Sequence, residues 1–160
     1  MVSVRLICVG KLKEKHFAAA CGEYEKRLKP FCKLTVIELP EERLPEEPSP
    51  AQIGAALERE AVRIREKLPK GAELIALCVE GKLLSSPQLA KTLADWMVEG
   101  TSSIALVIGG SFGLHPSVKE QAKLRLSMSP MTFPHHLARV MVLEQIYRAF
   151  QINAGTRYHK

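Results

Sequence analysis

A glycine-rich segment, Gly109–Gly113, directly follows the apolar run Ser103–Ile108. Glycine lets backbone approach a ligand closely and adopts positive φ without a steric penalty. The segment matches neither G-x-G-x-x-G nor G-x-x-x-x-G-K-[ST], so it indicates neither a dinucleotide nor a nucleoside triphosphate. We interpret it as a turn that closes on another small ligand. The alternative is an ordinary tight turn, since glycines commonly mark turns.

The segment Met128–Pro134 is apolar, although it lies between a predicted strand and a predicted helix, where polar surface loops are usual. Proline fixes φ, so Pro130 and Pro134 indicate backbone held in place around an apolar or aromatic ligand. The alternative is that the segment packs into the core or against a second subunit, and both can hold together. Ligands of open α/β sheets bind beyond the carboxyl ends of the strands, where this segment, Gly109–Gly113 and Leu77–Lys82 are all predicted to lie.

Ionisable side chains follow that apolar segment and recur in the C-terminal tail: His135, His136, Arg139, Arg148, Tyr158 and His159. Arginine suits an anion or a phosphate, and histidine suits proton removal near neutral pH. Simpler roles are also open: His135 begins a helix, Arg148 pairs with Glu144 at i, i+4, and the tail is unordered. Adjacent His135 and His136 cannot share a helix face, and the four cysteines contain no C-x-x-C pair, so we predict no metal site.

The composition is that of an ordinary globular protein: 160 residues, 46% hydrophobic and 25% charged, enough for one domain with a proper core. The longest apolar stretches are too short to cross a bilayer, and no secretory signal is recognisable. We therefore expect a cytoplasmic protein with no membrane partner and with its cysteines reduced.

The formal net charge of +6 is compatible with a polyanionic partner but does not establish one. Positive charge clusters early in the chain, at Lys11, Lys13, Lys15, Lys26, Arg27, Lys29 and Lys33. The Pro/Glu-rich stretch Pro40–Pro48 is acidic, so we expect a two-sided surface.

Strands and helices alternate along the chain, which predicts a mostly parallel α/β sheet with helices on both sides. The predicted strands are Val2–Val9, Leu34–Leu39, Leu74–Val79, Ser103–Ile108 and Leu124–Met128. The predicted helices are Lys13–Leu28, Pro50 to about Leu68, Pro87 to Gly100, a short one from Pro116, and His135–Phe150. Ser49 with Gln52 and Ser85 with Gln88 form capping boxes. Glu80-Gly81-Lys82 is interpreted as a turn that closes the third strand.

Several of these motifs, in fixed order, resemble the RlmH family of SPOUT-class methyltransferases. The resemblance rests on Leu106–Leu114, Ser127–His135, Arg139-Val140, Glu144–Phe150 and Tyr158–Lys160, with Val9–Lys13 and Glu23–Leu28 nearer the N-terminus. It covers essentially the whole chain at matching length. The terminal Lys160 departs from members that carry arginine there and one further residue.

The resemblance implies one SPOUT domain over 1–160, an α/β/α fold with a deep trefoil knot at roughly 72–155. It implies an enzyme that transfers a methyl group from S-adenosylmethionine to N3 of a pseudouridine in large-subunit (23S) ribosomal RNA, on the assembled ribosome. It also implies a homodimer, with the last helix as the candidate interface. The cofactor contacts carried over by position are Leu77, Gly109, Met128, Ser129, Pro130, Met131, Thr132 and Phe133.

For catalysis we favour Arg139 and His159, and for substrate binding His135, Arg148 and Tyr158, while no residue is identified as the general base. Two other functions stay open. One is a non-enzymatic RNA-binding module, which would need neither the glycine turn nor the apolar segment. The other is a SPOUT methyltransferase acting on a different RNA, such as transfer RNA.

Overall fold

The computed structural model describes residues 1–160 and contains one five-stranded sheet in the order β2-β1-β4-β3-β5. The strands are β1 (Ser3–Val9), β2 (Lys33–Leu39), β3 (Glu73–Leu83), β4 (Ser103–Ile108) and β5 (Leu124–Ser127). The helices are α1 (Lys15–Leu28), α2 (Pro50–Lys67), α3 (Ser86–Val98), α4 (Pro116–Gln121) and α5 (His135–Asn153). Every pair of neighbouring strands is parallel, which confirms the predicted sheet.

The sheet is covered on both faces, and successive residues of one strand therefore enter different cores. Leu6 packs in the larger core with side chains of α1, α3 and α5 such as Leu143. Its neighbour Ile7 packs in a second core with Ile64 of α2 and Val118 of α4. Strands buried on both faces read as continuous apolar runs, which is the pattern seen in β1 and β4. The result is the predicted three-layer α/β/α arrangement.

Most helix boundaries follow the sequence signals. Both capping boxes form, with the Ser49 and Ser85 hydroxyls accepting from the backbone N–H of the residue three positions on. α1 begins two residues later than predicted, and α5 continues to Asn153, three residues beyond the predicted end. None of the helices has the length and hydropathy that a membrane span requires.

The prediction that Glu80-Gly81-Lys82 is a turn closing the third strand is wrong. β3 continues to Leu83 with an irregularity, so that Leu77 and Lys82 both pair with Leu126 of β5. A Cβ on Gly81 would lie 2.8 Å from the carbonyl carbon of Leu126. Glycine permits this close passage, and the same glycine gives the segment the appearance of a turn in the sequence.

Candidate active site

A cavity of about 680 Å³ lies at the carboxyl ends of β3, β4 and β5, a volume suited to one small ligand. All three segments singled out in the sequence form its walls. The lining residues are Leu77–Glu80, Ile108–Leu114, Lys119, Leu126–Ser129, Met131–His135 and Ala138. Of the predicted cofactor contacts, only Pro130 is not part of this lining.

The glycine turn brings bare backbone to the cavity wall. Its ends approach so closely that a Cβ on Gly109 would lie 2.4 Å from the carbonyl oxygen of Gly113. Gly113 itself has φ of +80°, a conformation that side chains disfavour. The Ser111 backbone N–H donates to Oε1 of Glu41 at 2.8 Å. Glu41 therefore secures the turn, although the sequence indicated only an acidic surface stretch there.

The apolar segment Met128–Pro134 is held by the side chains of two serines, Ser127 just before it and Ser129 within it. The hydroxyl of buried Ser127 donates to the Ser129 carbonyl at 3.1 Å, and the Ser129 hydroxyl accepts from the Met131 backbone N–H at 3.0 Å. Met131 nevertheless stays 73% exposed at the cavity mouth. Ordered backbone and apolar side chains give this wall the character expected around a heteroaromatic ring.

His135 is the first residue of α5 and lines the cavity on the side of β1, where its ring borders Gly10. Burial lowers its pKa below the usual 6.5, and the neighbouring His136 lowers it further. The imidazole is therefore neutral at pH 7 and able to accept a proton. His136 points elsewhere, with its Nδ1 lying 2.9 Å from Glu14 Oε2.

Arg139 is buried beside the cavity and does not line it. Its Nη1 donates to Glu38 Oε2 at 2.7 Å, and its Nη2 donates to the Gly10 carbonyl at 3.1 Å. The structure therefore places this predicted catalytic residue between α5 and the ends of β1 and β2. Glu38, its partner, carried no signal in the sequence because it lies inside an apolar strand.

The C-terminal tail packs on α5 away from the cavity. Glu144 Oε1 lies 2.7 Å from Arg148 Nη2 and accepts from the Tyr158 hydroxyl at 3.1 Å. The Nδ1 of His159 lies 3.1 Å from Arg148 Nη1. Thirteen residues separate Arg148 from His135 along α5, a rise of about 20 Å. Within one chain, the structure does not bring the predicted tail residues to the cavity.

Two charged residues that sequence reasoning did not single out, Glu80 and Lys119, also line the cavity and form an ion pair. No group of three or more His, Cys, Asp or Glu side chains is arranged to hold a metal ion. The four cysteines are free. The cavity thus offers bare backbone, apolar and small polar side chains, one histidine and one ion pair, which fits an organic cofactor with an aromatic base.

Comparisons with known proteins show which family this chain resembles. The family model described as "Predicted SPOUT methyltransferase" matches residues 2–159. The chain is 48% identical to "Ribosomal RNA large subunit methyltransferase H" of Bifidobacterium animalis subsp. lactis and 46% identical to the protein of that name from Clostridium novyi. Each alignment covers 99% of this chain and 100% of the relative. A probable methylase family protein from Haemophilus influenzae shares the fold, with TM-score 0.56 at 12% identity, over 100% of this chain and 72% of that one.

Fold, cavity and family model together define the class, an S-adenosylmethionine-dependent methyltransferase of the SPOUT type. Within that class, the full-length identities show that the chain belongs to the RlmH family. The predictions of family, fold class, enzyme type and cofactor are therefore confirmed.

Proposed function

We propose that this enzyme methylates N3 of a pseudouridine in large-subunit ribosomal RNA and acts on the assembled ribosome. The observation that carries the proposal is the single cavity in which all three strand-end segments meet. The relatives named above are large-subunit ribosomal RNA methyltransferases, which supports the choice of RNA. We propose accordingly that the protein acts in the cytoplasm, with no membrane partner and no metal requirement.

We propose that the cofactor lies against Leu77, Gly109 and the segment Met128–Phe133. The bare backbone at Gly109 allows a ring to approach without meeting a side chain. Pro130 is set back from the cavity and would act by fixing the backbone of its neighbours. When bound, S-adenosylmethionine supplies an electrophilic methyl group on its sulfonium.

The residues of the chain must align the acceptor and remove its proton. Methyl transfer is an in-line displacement, so alignment supplies a large share of the rate. A neutral imide nitrogen is a poor nucleophile, and its N3 proton must leave before or during the transfer. His135 lines the cavity, and its lowered pKa leaves the imidazole neutral, so it is free to contact the base and accept that proton.

Arg139 does not reach the cavity, and we therefore propose that it positions the start of α5 rather than touches the reacting atoms. Its contacts to Glu38 and Gly10 fix α5 relative to β1 and β2, and Gly10 borders His135. The Arg139 guanidinium is also buried, and these two contacts restrict its freedom to move toward a ligand.

We propose that the protein works as a homodimer in which the tail of one chain serves the cavity of the other. Tyr158, His159 and Arg148 cluster about 20 Å along α5 from His135, so a role in catalysis for His159 requires a second copy. Arg148 and Tyr158 then bind the substrate RNA. The early lysines and arginines would contact its phosphates.

We further propose one SPOUT domain over 1–160 with a trefoil knot at roughly 72–155. The support is the close passage of β3 and β5, where Leu77 and Lys82 both pair with Leu126 and Gly81 leaves no room for a side chain. The absence of a side chain at Gly81 permits this close passage.

The proposal is tested by transfer of labelled methyl from S-adenosylmethionine to assembled ribosomes, isolated large subunits and bulk transfer RNA. We expect label in large-subunit RNA, with the highest rate on assembled ribosomes. Label in transfer RNA alone would contradict the proposal that large-subunit ribosomal RNA is the substrate. No transfer and no cofactor binding by the folded protein would favour an RNA-binding module instead.

A further inference from the structure

Glu80 and Lys119 are the two cavity-lining side chains that carry a full charge at neutral pH. Glu80 comes from β3 and Lys119 from α4, and they form an ion pair. The Lys119 side chain is 25% exposed, whereas that of Glu80 is 60% exposed and lies nearer the mouth. The Lys119 ammonium holds the pKa of the Glu80 carboxyl below its usual range, so Glu80 is ionised when a ligand arrives.

The pair lies on the opposite side of the cavity from His135. His135 borders Gly10 at the end of β1, and β1 is separated from β3 by β4. Neighbouring strands are about 4.8 Å apart, which puts the two sides roughly 10 Å from each other. The cavity therefore has one neutral, proton-accepting side and one side that carries paired opposite charges.

Paired opposite charges select a particular kind of ligand. A phosphate or a lone carboxylate would be attracted by Lys119 and repelled by Glu80. A group that carries an ammonium and a carboxylate on one carbon matches both side chains, because each charge meets its opposite. The methionyl end of S-adenosylmethionine is such a zwitterion, whereas its adenosine end carries no charge.

We propose that Glu80 and Lys119 bind the amino-acid end of the cofactor. The Lys119 ammonium donates to the α-carboxylate, and the Glu80 carboxylate accepts from the α-ammonium. This inference rests on the proposed cofactor site, and it fixes the direction in which the cofactor lies. The amino-acid end points toward β3 and α4, and the adenine lies along the glycine turn and Met128–Phe133.

The ion pair can be altered without unfolding the chain, since partly exposed ion pairs contribute little to stability. We would measure the binding of S-adenosylhomocysteine and of 5′-methylthioadenosine by calorimetry, because the second ligand lacks the amino-acid end. Lys119→Gln and Glu80→Gln are each expected to weaken the affinity for S-adenosylhomocysteine roughly tenfold or more. Both variants should bind 5′-methylthioadenosine as the unchanged chain does.

A matched control is Lys123→Gln. Lys123 lies just after α4 and pairs with Glu73 of β3 at 3.2 Å, outside the cavity lining. This variant removes the same charge from the same neighbourhood and should leave both affinities unchanged. A loss equal to that of Lys119→Gln would overturn the inference, because it would reveal a general effect of positive charge.

Ligand analogues separate the two contacts. Lys119→Gln should bind the decarboxylated analogue of S-adenosylhomocysteine as well as the unchanged chain does, and Glu80→Gln should do so for the deaminated analogue. Equal losses for all ligands would overturn the inference, as would 5′-methylthioadenosine binding the unchanged chain as tightly as S-adenosylhomocysteine. Failure of the unchanged chain to bind either ligand would instead overturn the proposed cofactor site itself.

Discussion

The guanidinium of Arg139 in α5 lies 2.7 Å from the carboxylate of Glu38, near the end of β2. The same carboxylate oxygen accepts from the Leu12 backbone N–H at 2.8 Å, and Arg139 also donates to the Gly10 carbonyl. Three parts of the chain are thereby joined next to the wall that carries His135. The relationship links the N-terminal half of the sheet to the geometry of the site.

Removal of Glu38 should destabilise the fold. Glu38→Ala leaves the buried Arg139 charge with one carbonyl partner, and we expect a loss of about 2–3 kcal/mol in the free energy of unfolding. Glu23→Ala is the matched control, because Glu23 pairs with Arg27 on the surface of α1 and should cost less than about 0.5 kcal/mol. Denaturant unfolding measures both. Equal costs would contradict a structural role for the Arg139–Glu38 pair.

The glycine turn should not tolerate a side chain at its first residue. Gly109→Ala would place a Cβ 2.4 Å from the Gly113 carbonyl oxygen, so the turn must open and S-adenosylhomocysteine binding should be lost. Gly22→Ala is the control, since a Cβ there has no neighbour within 4 Å in the middle of α1. That variant should bind normally and gain roughly 0.5–1 kcal/mol of stability. Normal S-adenosylhomocysteine binding by Gly109→Ala would show that the turn is not part of the cofactor site.

The location of the site was predictable from the sequence, because glycine and proline segments follow apolar strands at one edge of a parallel sheet. The contacts that hold the site in place were not predictable from the sequence. Glu41 holds Ser111 across 70 residues and Glu38 holds Arg139 across 101, and such pairings depend on tertiary packing rather than on local spacing. The extension of β3 past Gly81 was missed for a related reason, since its pairing partner Leu126 is distant in sequence.

Stability should depend on pH through Glu60, which is 5% exposed and accepts from the Glu42 backbone N–H. Burial raises the pKa of Glu60 above its ordinary 4.5, and the carboxylates of Glu41 and Glu42 raise it further. The folded chain therefore binds this proton more tightly than the unfolded chain does. Protonation of Glu60 therefore stabilises the fold, fully below pH 4.5, and this contribution is lost as the pH rises through the folded-state pKa.

Glu60→Gln should consequently stabilise the protein at pH 7, by an amount on the order of 1 kcal/mol, because the amide oxygen still accepts and no charge is buried. The gain should disappear below pH 4.5, where Glu60 itself is neutral. Glu58→Gln, at an exposed position of α2, should change stability by less than about 0.5 kcal/mol at either pH. Denaturant unfolding at pH 7 and below pH 4.5 measures these changes in stability. A pH-independent effect of Glu60→Gln would contradict this account.

The tail should act across a dimer. A chain that ends at Thr156 and a Gly109→Ala chain should each lack methyl transfer, while the shortened chain still binds S-adenosylhomocysteine. Mixed in equal amounts with exchange of subunits, they should regain up to about a quarter of the normal rate, since half of the dimers then hold one complete site. Full activity of the shortened chain alone would show that the tail is dispensable.

The central claim concerns which atom receives the methyl group. The most direct measurement is digestion of ribosomal RNA labelled by this enzyme, followed by identification of the labelled nucleoside by mass spectrometry. Ribosomes that lack pseudouridine would be treated in parallel. We predict label in N3-methylpseudouridine from the large subunit and none in the ribosomes without pseudouridine. Label in any other nucleoside, or equal label in both kinds of ribosome, would contradict the account.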